Sequence, residues 1–254
     1  MISNLINPLL VGAIAAFAAG FLAVFIIFKR MTLVGDALSH VALPGIALSL
    51  ILGLSPLIGS TAFLLVASFI IYWLSGRTKL YEEALVGILF AVSLAVGVLF
   101  LKGGDLEAAL FGNLSAITFV DFILSLIIGA VIIVGAAALY KKLAVSSFSV
   151  DLARSHGVDV ERVNFYFLIL LSLAVVLGIK VLGTLLVGSL LIIPSASAQN
   201  ISRSLKQMTV WSIVFSVASV LGGILLSAAL VWPAGPIIVL VEGAAFVATL
   251  FFRR

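Results

Sequence analysis

The sequence predicts an all-α polytopic membrane protein, and three observations support this fold class. Hydrophobic residues make up 64% of the 254 residues and charged residues only 9%, against about 25% charged residues in an average soluble domain. The apolar residues form long continuous runs, which favour membrane helices over the alternating pattern of a β-barrel. The charged residues fall mostly between these runs. We therefore expect most of the chain to face lipid or neighbouring helices.

The apolar runs divide into nine candidate spans. A bilayer core of about 30 Å takes roughly 17–25 helical residues. The second run is short, and the sixth and seventh are hardly separated, so eight spans are the alternative count. The nine spans are residues 8–28, 37–53, 57–75, 84–101, 119–140, 163–179, 181–200, 208–231 and 237–252.

The basic residues predict how these spans are oriented. With nine spans, only Lys102 and Lys180 of the 14 basic residues fall on one side. Basic residues accumulate on the cytoplasmic side of membrane proteins, so we expect the N-terminus outside and the C-terminus in the cytoplasm, within a single transmembrane domain, residues 1–254. The other side carries Lys29, Arg30, Arg77, Lys79, Lys141, Lys142, Arg154, Arg162, Arg203, Lys206, Arg253 and Arg254.

Several classes of function are excluded by residues that the sequence lacks. It contains no cysteine, which removes thiolate metal sites and disulfides. It has no G-x-x-x-x-G-K-[ST] phosphate loop and no H-E-x-x-H pair, so we expect neither ATP hydrolysis nor metalloprotease activity. The basic residues are scattered between spans, which does not indicate nucleic-acid binding. Transport or scaffolding remains, and an enzyme is not expected.

Only two loops are long enough to form structure of their own. The outer loop, residues 102–118, is slightly acidic and indicates a turn of interfacial helix. The inner loop, residues 141–162, contains the stretch SFSVDLARSHG, with a serine before Asp151 as a cap and Gly157 as a stop. Its apolar face, Phe148, Leu152 and Ala153, needs something to pack on. Lipid headgroups and a soluble partner are both possible packing surfaces for this face.

The leading functional candidates are Asp36 and His40, in the stretch GDALSHVALPG. At positions i and i+4 their side chains share one helix face, and ionisable groups inside a span are costly and mark functional sites. A carboxylate beside an imidazole is half of a site for Zn²⁺, Mn²⁺ or Fe²⁺. The alternative is an Asp–His hydrogen bond that only neutralises two polar groups.

Two prolines are expected to disturb the helices near these residues. Pro44 cannot donate to the carbonyl of His40, four residues back, which predicts a kink and a free carbonyl beside the imidazole. Pro194 has the same effect on Leu190 and opens a polar stretch within the seventh span.

Three other polar residues lie outside this pair. Glu242 is a second intramembrane acid without a basic neighbour in its own span, so both a place on the ion path and a protonated structural acid remain open. Asp121 starts the fifth span, where solvation is expected. His156 is expected to be an exposed loop histidine.

Three motifs resemble the permease subunits of bacterial zinc, manganese and iron ABC importers, the ABC-3 family. They are GDALSHVALPG (35–45), DLARSHGV (151–158) and LGTLLVGSLLIIPSASA (182–198), and the resemblance extends over the whole chain. It implies a homodimer in the bacterial inner (cytoplasmic) membrane, two cytoplasmic ATPase subunits and an extracytoplasmic metal-binding protein. No permanently bound cofactor is implied, because the divalent metal ion is the cargo.

The resemblance also implies roles for particular residues. The inner helix corresponds to the coupling helix that docks on the ATPase, and Asp36 and His40 correspond to residues at or near the metal path. A secondary transporter driven by protons or sodium remains the main alternative, with Glu242 and the Asp36–His40 pair as a relay; an importer of a vitamin or iron chelate is a second. The implied coupling residues are Ser149, Val150, Asp151, Leu152, Ala153, Arg154, Ser155, His156 and Gly157.

Overall fold

The computed structural model describes residues 5–101, 103–112 and 117–252, and these residues form helices and contain no strand. Lys102, Arg253 and Arg254, together with positions 113–116 of the predicted outer loop, lie outside the described residues. The helices are α1 (Ile6–Phe28), α2 (Thr32–Val41), α3 (Leu43–Ile51), α4 (Pro56–Ser75), α5 (Glu82–Phe100), α6 (Gly104–Phe111), α7 (Phe119–Phe148), α8 (Val150–Ser155), α9 (Val160–Leu182), α10 (Val187–Ile201), α11 (Leu205–Leu230) and α12 (Ala234–Leu250).

Seven segments of the described chain are long and apolar enough to cross a membrane. They are α1, α2 together with α3, α4, α5, α7, α9 and α11. Two further helices are shorter: α12 has 17 residues and α10 has 15. The all-α, multi-span fold class is confirmed, and the count of nine spans stays a prediction.

The second span consists of two helices. Helix α2 ends at Val41 and α3 begins at Leu43. The break at Ala42 lies two residues before Pro44, which occupies the first turn of α3. Proline is tolerated in a first turn because the amide it lacks has no helical partner there. Helix α10, in contrast, runs through Pro194 without interruption.

The predicted seventh span, residues 181–200, begins too early. Helix α9 continues to Leu182, and the backbone is not helical again until Val187. At Gly183 the backbone has φ +78°, and a Cβ there would overlap the carbonyl oxygen of Leu110. The helix ends at this position because only glycine permits so close an approach of two main chains.

The inner segment contains a short helix, although less of it is loop than expected. Helix α7 extends to Phe148, and α8 follows directly. The Ser149 side chain caps α8 by accepting a hydrogen bond from the amide of Leu152. At Gly157 the chain turns away with φ +72°.

Helix α1 occupies the centre of the bundle and packs against α7, α9, α10 and α11. Its contact with α11 includes two hydrogen bonds between helices. The Ser212 and Ser216 hydroxyls donate to the carbonyls of Gly20 and Ala16, each at 2.7 Å. Small polar residues of this kind hold membrane helices close together, because lipid offers no other partner for them.

The two ends of the bundle differ in charge. At one end, Lys29, Arg30 and Arg154 line a single cavity; we call this the basic end. At the opposite end, Lys180 and Asp105 line a different cavity beside α6; we call this the α6 end.

A close glycine contact between α3 and α4 provides a test of this packing. A Cβ at Gly59 would overlap the carbonyl of Gly45, and a Cβ at Gly45 would overlap that of Gly59. We expect Gly59→Ala to destabilise the protein by about 1–3 kcal/mol, the usual cost of overpacking. The measurement is the thermal unfolding midpoint of the purified protein in detergent.

The matched control is Gly87→Ala in α5, where a Cβ would meet nothing within 4 Å. Alanine has the higher helix propensity, so this variant is expected to be as stable as the wild type or slightly more so. Equal midpoints for the two variants would contradict the α3–α4 packing.

Candidate functional site

Asp36 and His40 lie on the same face of α2, one helical turn apart. The His40 side chain is 9% exposed, and its Nδ1 atom is buried without a hydrogen-bond partner. Asp36 is partly buried and acts electrostatically on the imidazole. Among the described residues no hydrogen bond or ion pair joins the two side chains. The two groups are therefore near each other but do not satisfy each other.

Helix α10 holds this part of α2 through small residues. A Cβ at Gly188 would lie 2.9 Å from Oδ1 of Asp36, and one at Gly35 would lie 2.7 Å from Leu191. Gly188 is ten residues along α10 from Ala198, which clusters with Val24 near the basic end. Ten helical residues span about 15 Å. Asp36 therefore packs against α10 about 15 Å along that helix from Ala198.

Ser39 connects the same turn of α2 to the non-helical segment after α9. Its Oγ atom lies 2.6 Å from the carbonyl of Thr184 and 2.6 Å from that of Asp36. Both Ser39 and Thr184 are fully buried. The candidate site is thus attached to a point where the buried backbone is not helical.

An aromatic ring of α5 completes the surroundings of His40. The ring centroids of Phe90 and His40 are 5.3 Å apart, with an interplanar angle of 66°. This edge-on contact restricts the orientation of the imidazole.

The described residues of one chain do not complete a metal site. They contain no group of three or more His, Asp or Glu side chains that could hold a metal ion. Asp36 and His40 offer one oxygen-donor and one nitrogen-donor side chain, a combination suited to first-row divalent ions. An ion held here needs further ligands from water, backbone or another chain.

The polar stretch after Pro194 offers few free ligands. Ser195 and Ser197 are fully buried and donate to carbonyls of their own helix, at 3.1 and 2.9 Å. The Asn200 amide donates to Thr249 on α12. Most of this stretch serves helix packing.

Glu242 is not brought together with Asp36 and His40. It is 1% exposed, and neither carboxyl oxygen has a hydrogen-bond partner among the described residues. The Ser189 hydroxyl lies near the Glu242 carboxyl group, but it donates to the carbonyl of Leu186 at 2.7 Å. Glu242 is therefore a buried acid without an ion pair in this structure.

The expectation that Asp121 is solvated is wrong. Asp121 is 6% exposed, and its Oδ1 atom forms an ion pair with Lys180 at 3.0 Å. It also accepts from the amide of Thr118 in a capping box at the start of α7. Burying the carboxylate is possible because α9 supplies the opposite charge.

The residues that the resemblance assigns to coupling lie at the basic end, on and around α8. Val150 and Leu152 are 43% and 49% exposed, and the adjoining Phe148 is 66% exposed. Ala153 is fully buried within the chain, so the exposed part of the apolar face consists of the other residues. His156 is exposed, with Nδ1 2.8 Å from the carbonyl of Leu152.

Sequence reasoning missed two side chains of the site, Ser39 and Phe90, and the backbone carbonyl of Thr184. Ser39 stands between Asp36 and His40 in the sequence, and its position in that motif was the available signal. Nothing in the sequence indicated that Thr184 or Phe90 would lie beside α2, because both contacts join residues far apart in the chain.

Comparisons with known proteins agree over the whole chain. The model of the ABC 3 transport family matches residues 1–253. The "High-affinity zinc uptake system membrane protein ZnuB" of Haemophilus influenzae is 34% identical over 260 residues, covering 100% of this chain and 99% of the relative. The "Manganese import system permease protein ScaB" of Streptococcus gordonii is 33% identical over 249 residues, which cover 96% of this chain and 90% of the relative. The solved structure of PsaBC from Streptococcus pneumoniae in complex with Fab matches with a TM-score of 0.87 and 33% identity. The match covers 98% of this chain and 92% of the chain in that structure.

The Asp121–Lys180 pair yields a stability prediction. Lys180→Met leaves a buried carboxylate without its counter-charge, which costs about 3–5 kcal/mol at a fully buried pair. Because the Lys180 side chain is 18% exposed, we expect a loss near the low end of that range. The thermal unfolding midpoint measures it.

The double variant Asp121→Asn/Lys180→Met tests the cause. The asparagine retains an acceptor for the Thr118 amide but has no charge to compensate, so at least half of the lost stability should return. A double variant no more stable than the single one would contradict the ion pair as the cause.

Proposed function

The chain belongs to the ABC 3 transport family, and we propose that it is the membrane permease subunit of an ATP-driven importer of divalent transition-metal ions. The observation that carries the proposal is the Asp36–His40 pair inside the bundle, whose polar groups do not satisfy each other. A buried group without a partner is expensive, and a cation passing between them offers the missing interaction.

The cargo is Zn²⁺, Mn²⁺ or Fe²⁺. Carboxylate and imidazole ligands suit each of these ions. Relatives named for zinc uptake and for manganese import are about equally similar to this chain, which supports the class of cargo without choosing within it. The ion is transported, so no cofactor is held permanently.

A second copy of the chain supplies the remaining ligands. One chain offers two ligand side chains, and four-coordinate ions such as Zn²⁺ need four ligands. Two copies of Asp36 and His40 would complete such a set at a dimer interface. Pro44 contributes to this arrangement because it lies in the first turn of α3, just after the helix is interrupted at Ala42, two residues beyond His40. Glu242, on α12, is at most a later position on the path.

The basic end faces the cytoplasm, and the protein lies in the bacterial inner membrane. The accumulation of Lys29, Arg30 and Arg154 at one end supports this orientation. With α10 and α12 counted as spans beside the seven longer segments, the chain crosses nine times, with its N-terminus outside and its C-terminus in the cytoplasm. Contact with membrane lipid is expected along the exposed apolar faces.

Two partners act at the two ends of the bundle. The chain lacks a phosphate-binding loop, so cytoplasmic ATPase subunits hydrolyse ATP and dock on Ser149–Gly157, where exposed Leu152 and Val150 offer an apolar surface. An extracytoplasmic metal-binding protein delivers the ion at the α6 end. Exposed Val231 and Trp232 (89% and 60%) beside α12 support a docking surface there.

Uptake of ⁶⁵Zn²⁺ and ⁵⁴Mn²⁺ into proteoliposomes tests this function. The wild-type chain, with its ATPase and binding protein, should import at least one of the ions only with ATP. Asp36→Asn and His40→Ala should each lower the initial rate at least about tenfold, because each removes half of this chain's ligands, worth about 1.4 kcal/mol or more.

The matched control is Asp159→Asn, which neutralises a carboxylate outside the bundle and keeps a side-chain cap for α9. It should import at the wild-type rate. Import without ATP would contradict the ABC importer and favour a proton- or sodium-driven carrier, and normal import by both site variants would contradict the ion path.

Docking of the ATPase has its own test. Leu152→Asp places a charge on the apolar surface of α8, and we expect co-purification of the ATPase subunit to fall at least about tenfold, because burying an unpaired charge is unfavourable. Leu80→Asp is the control, since Leu80 is also 49% exposed at the basic end. Equal losses in both variants would contradict a specific role for α8.

A further inference from the structure

The backbone between α9 and α10 is held from two sides. The amides of Thr184 and Leu185 donate to the carbonyls of Ala109 and Leu110 in α6, at 2.9 and 3.1 Å. From the other side, the Ser39 hydroxyl lies 2.6 Å from the Thr184 carbonyl. Polar backbone groups inside a membrane protein must find partners within the protein. Segment 183–186 therefore depends on α6 and on Ser39.

Ser39 has one hydroxyl proton and two acceptors at equal distance. The carbonyl of Asp36 lies inside α2, where the helix's own amides serve the carbonyls. Among the described residues, no backbone amide donates to the Thr184 carbonyl. Of the two carbonyls, only that of Thr184 therefore depends on the Ser39 hydroxyl as its donor.

We propose that Ser39 is a positioning residue for the metal path, and that its hydrogen bond to Thr184 aligns Asp36 and His40 with segment 183–186. The proposal rests on the proposed function. Ser39 stands between Asp36 and His40 on α2 and is fully buried. When this bond is broken, the turn that carries both ligands is no longer fixed to α6.

The contact of α10 with Asp36 makes the alignment sensitive. Gly188 lies two residues after segment 183–186, and a Cβ there would lie 2.9 Å from Oδ1 of Asp36. A shift of segment 183–186 relative to α2 moves the Gly188 backbone against the carboxylate. Ser39 suppresses that shift, so its effect reaches the ion through Asp36.

The side chain of Thr184 has no part in this proposal. Its Oγ1 atom is buried without a hydrogen-bond partner, and only its carbonyl accepts from Ser39. Thr184→Val keeps the side-chain shape and the backbone carbonyl but removes the hydroxyl. It therefore distinguishes an effect of the hydroxyl from an effect of the carbonyl. Ser49→Ala is a second control, because Ser49 is equally buried in the same span and donates only to Ile46 of its own helix.

The first measurement is the KM for ⁶⁵Zn²⁺ and ⁵⁴Mn²⁺ uptake by the complete transporter. We expect Ser39→Ala to raise KM about tenfold, the effect of losing one hydrogen bond of about 1.4 kcal/mol, at unchanged amounts of assembled complex. Thr184→Val and Ser49→Ala should stay within about twofold of the wild type. An unchanged KM in Ser39→Ala, or an equal rise in Thr184→Val, overturns the proposal.

The second measurement does not depend on transport. Hydrogen–deuterium exchange of the peptide containing residues 183–187 should be faster in Ser39→Ala than in the wild type, and unchanged in Ser49→Ala. Unchanged exchange in Ser39→Ala overturns the proposal even if uptake is altered. A wild-type chain that fails to import metal contradicts the proposed function instead, and the exchange result still decides whether Ser39 holds the segment.

Discussion

Every backbone amide and carbonyl inside the membrane needs a partner within the protein, and the rest of this structure depends on that constraint. It explains why the described chain is helical almost throughout. It also explains the structure around residues 183–186, where α9 ends beside α6 and the backbone leaves the helix. The carbonyls of Ala109 and Leu110 accept from that segment's amides, and Ser39 donates to its carbonyl. Helix α6, which is too short to span, thereby completes the bundle.

The same constraint separates the buried ionisable groups into two kinds. Asp121 has a full set of partners, an ion pair with Lys180 and a helix cap, so its burial serves the structure. His40 and Glu242 keep buried atoms without partners. Ionisable groups without partners inside a membrane are costly, which makes them candidates for function. This distinction comes from their surroundings, since all three residues lie within apolar runs of the sequence.

Much of the fold was predictable from local pattern. Apolar runs predicted the long helices, and the serine, aspartate and glycine around α8 predicted a short helix there. The start of α10 was not predictable, because the helix is interrupted by a close contact between Gly183 and α6, which are distant in the sequence. The Asp36–His40 pair was predictable because both residues lie on one helix, four positions apart. Ser39 and Thr184 became a pair only through the packing of α2 against segment 183–186.

In the proposed importer, ligand side chains divided between two chains suit a permease better than a complete metal cage within one chain would. Conduction requires binding that is favourable enough to admit the ion and weak enough to release it. Four ligands divided between two chains can separate, whereas four ligands fixed within one chain would retain the ion. In that proposal, Asp36 and His40 are aligned by their surroundings, which include Gly188, Phe90 and Ser39. One carboxylate and one imidazole do not distinguish zinc from manganese or iron. Selectivity in the proposed importer therefore depends on how two copies arrange these ligands and on which ion the binding protein delivers.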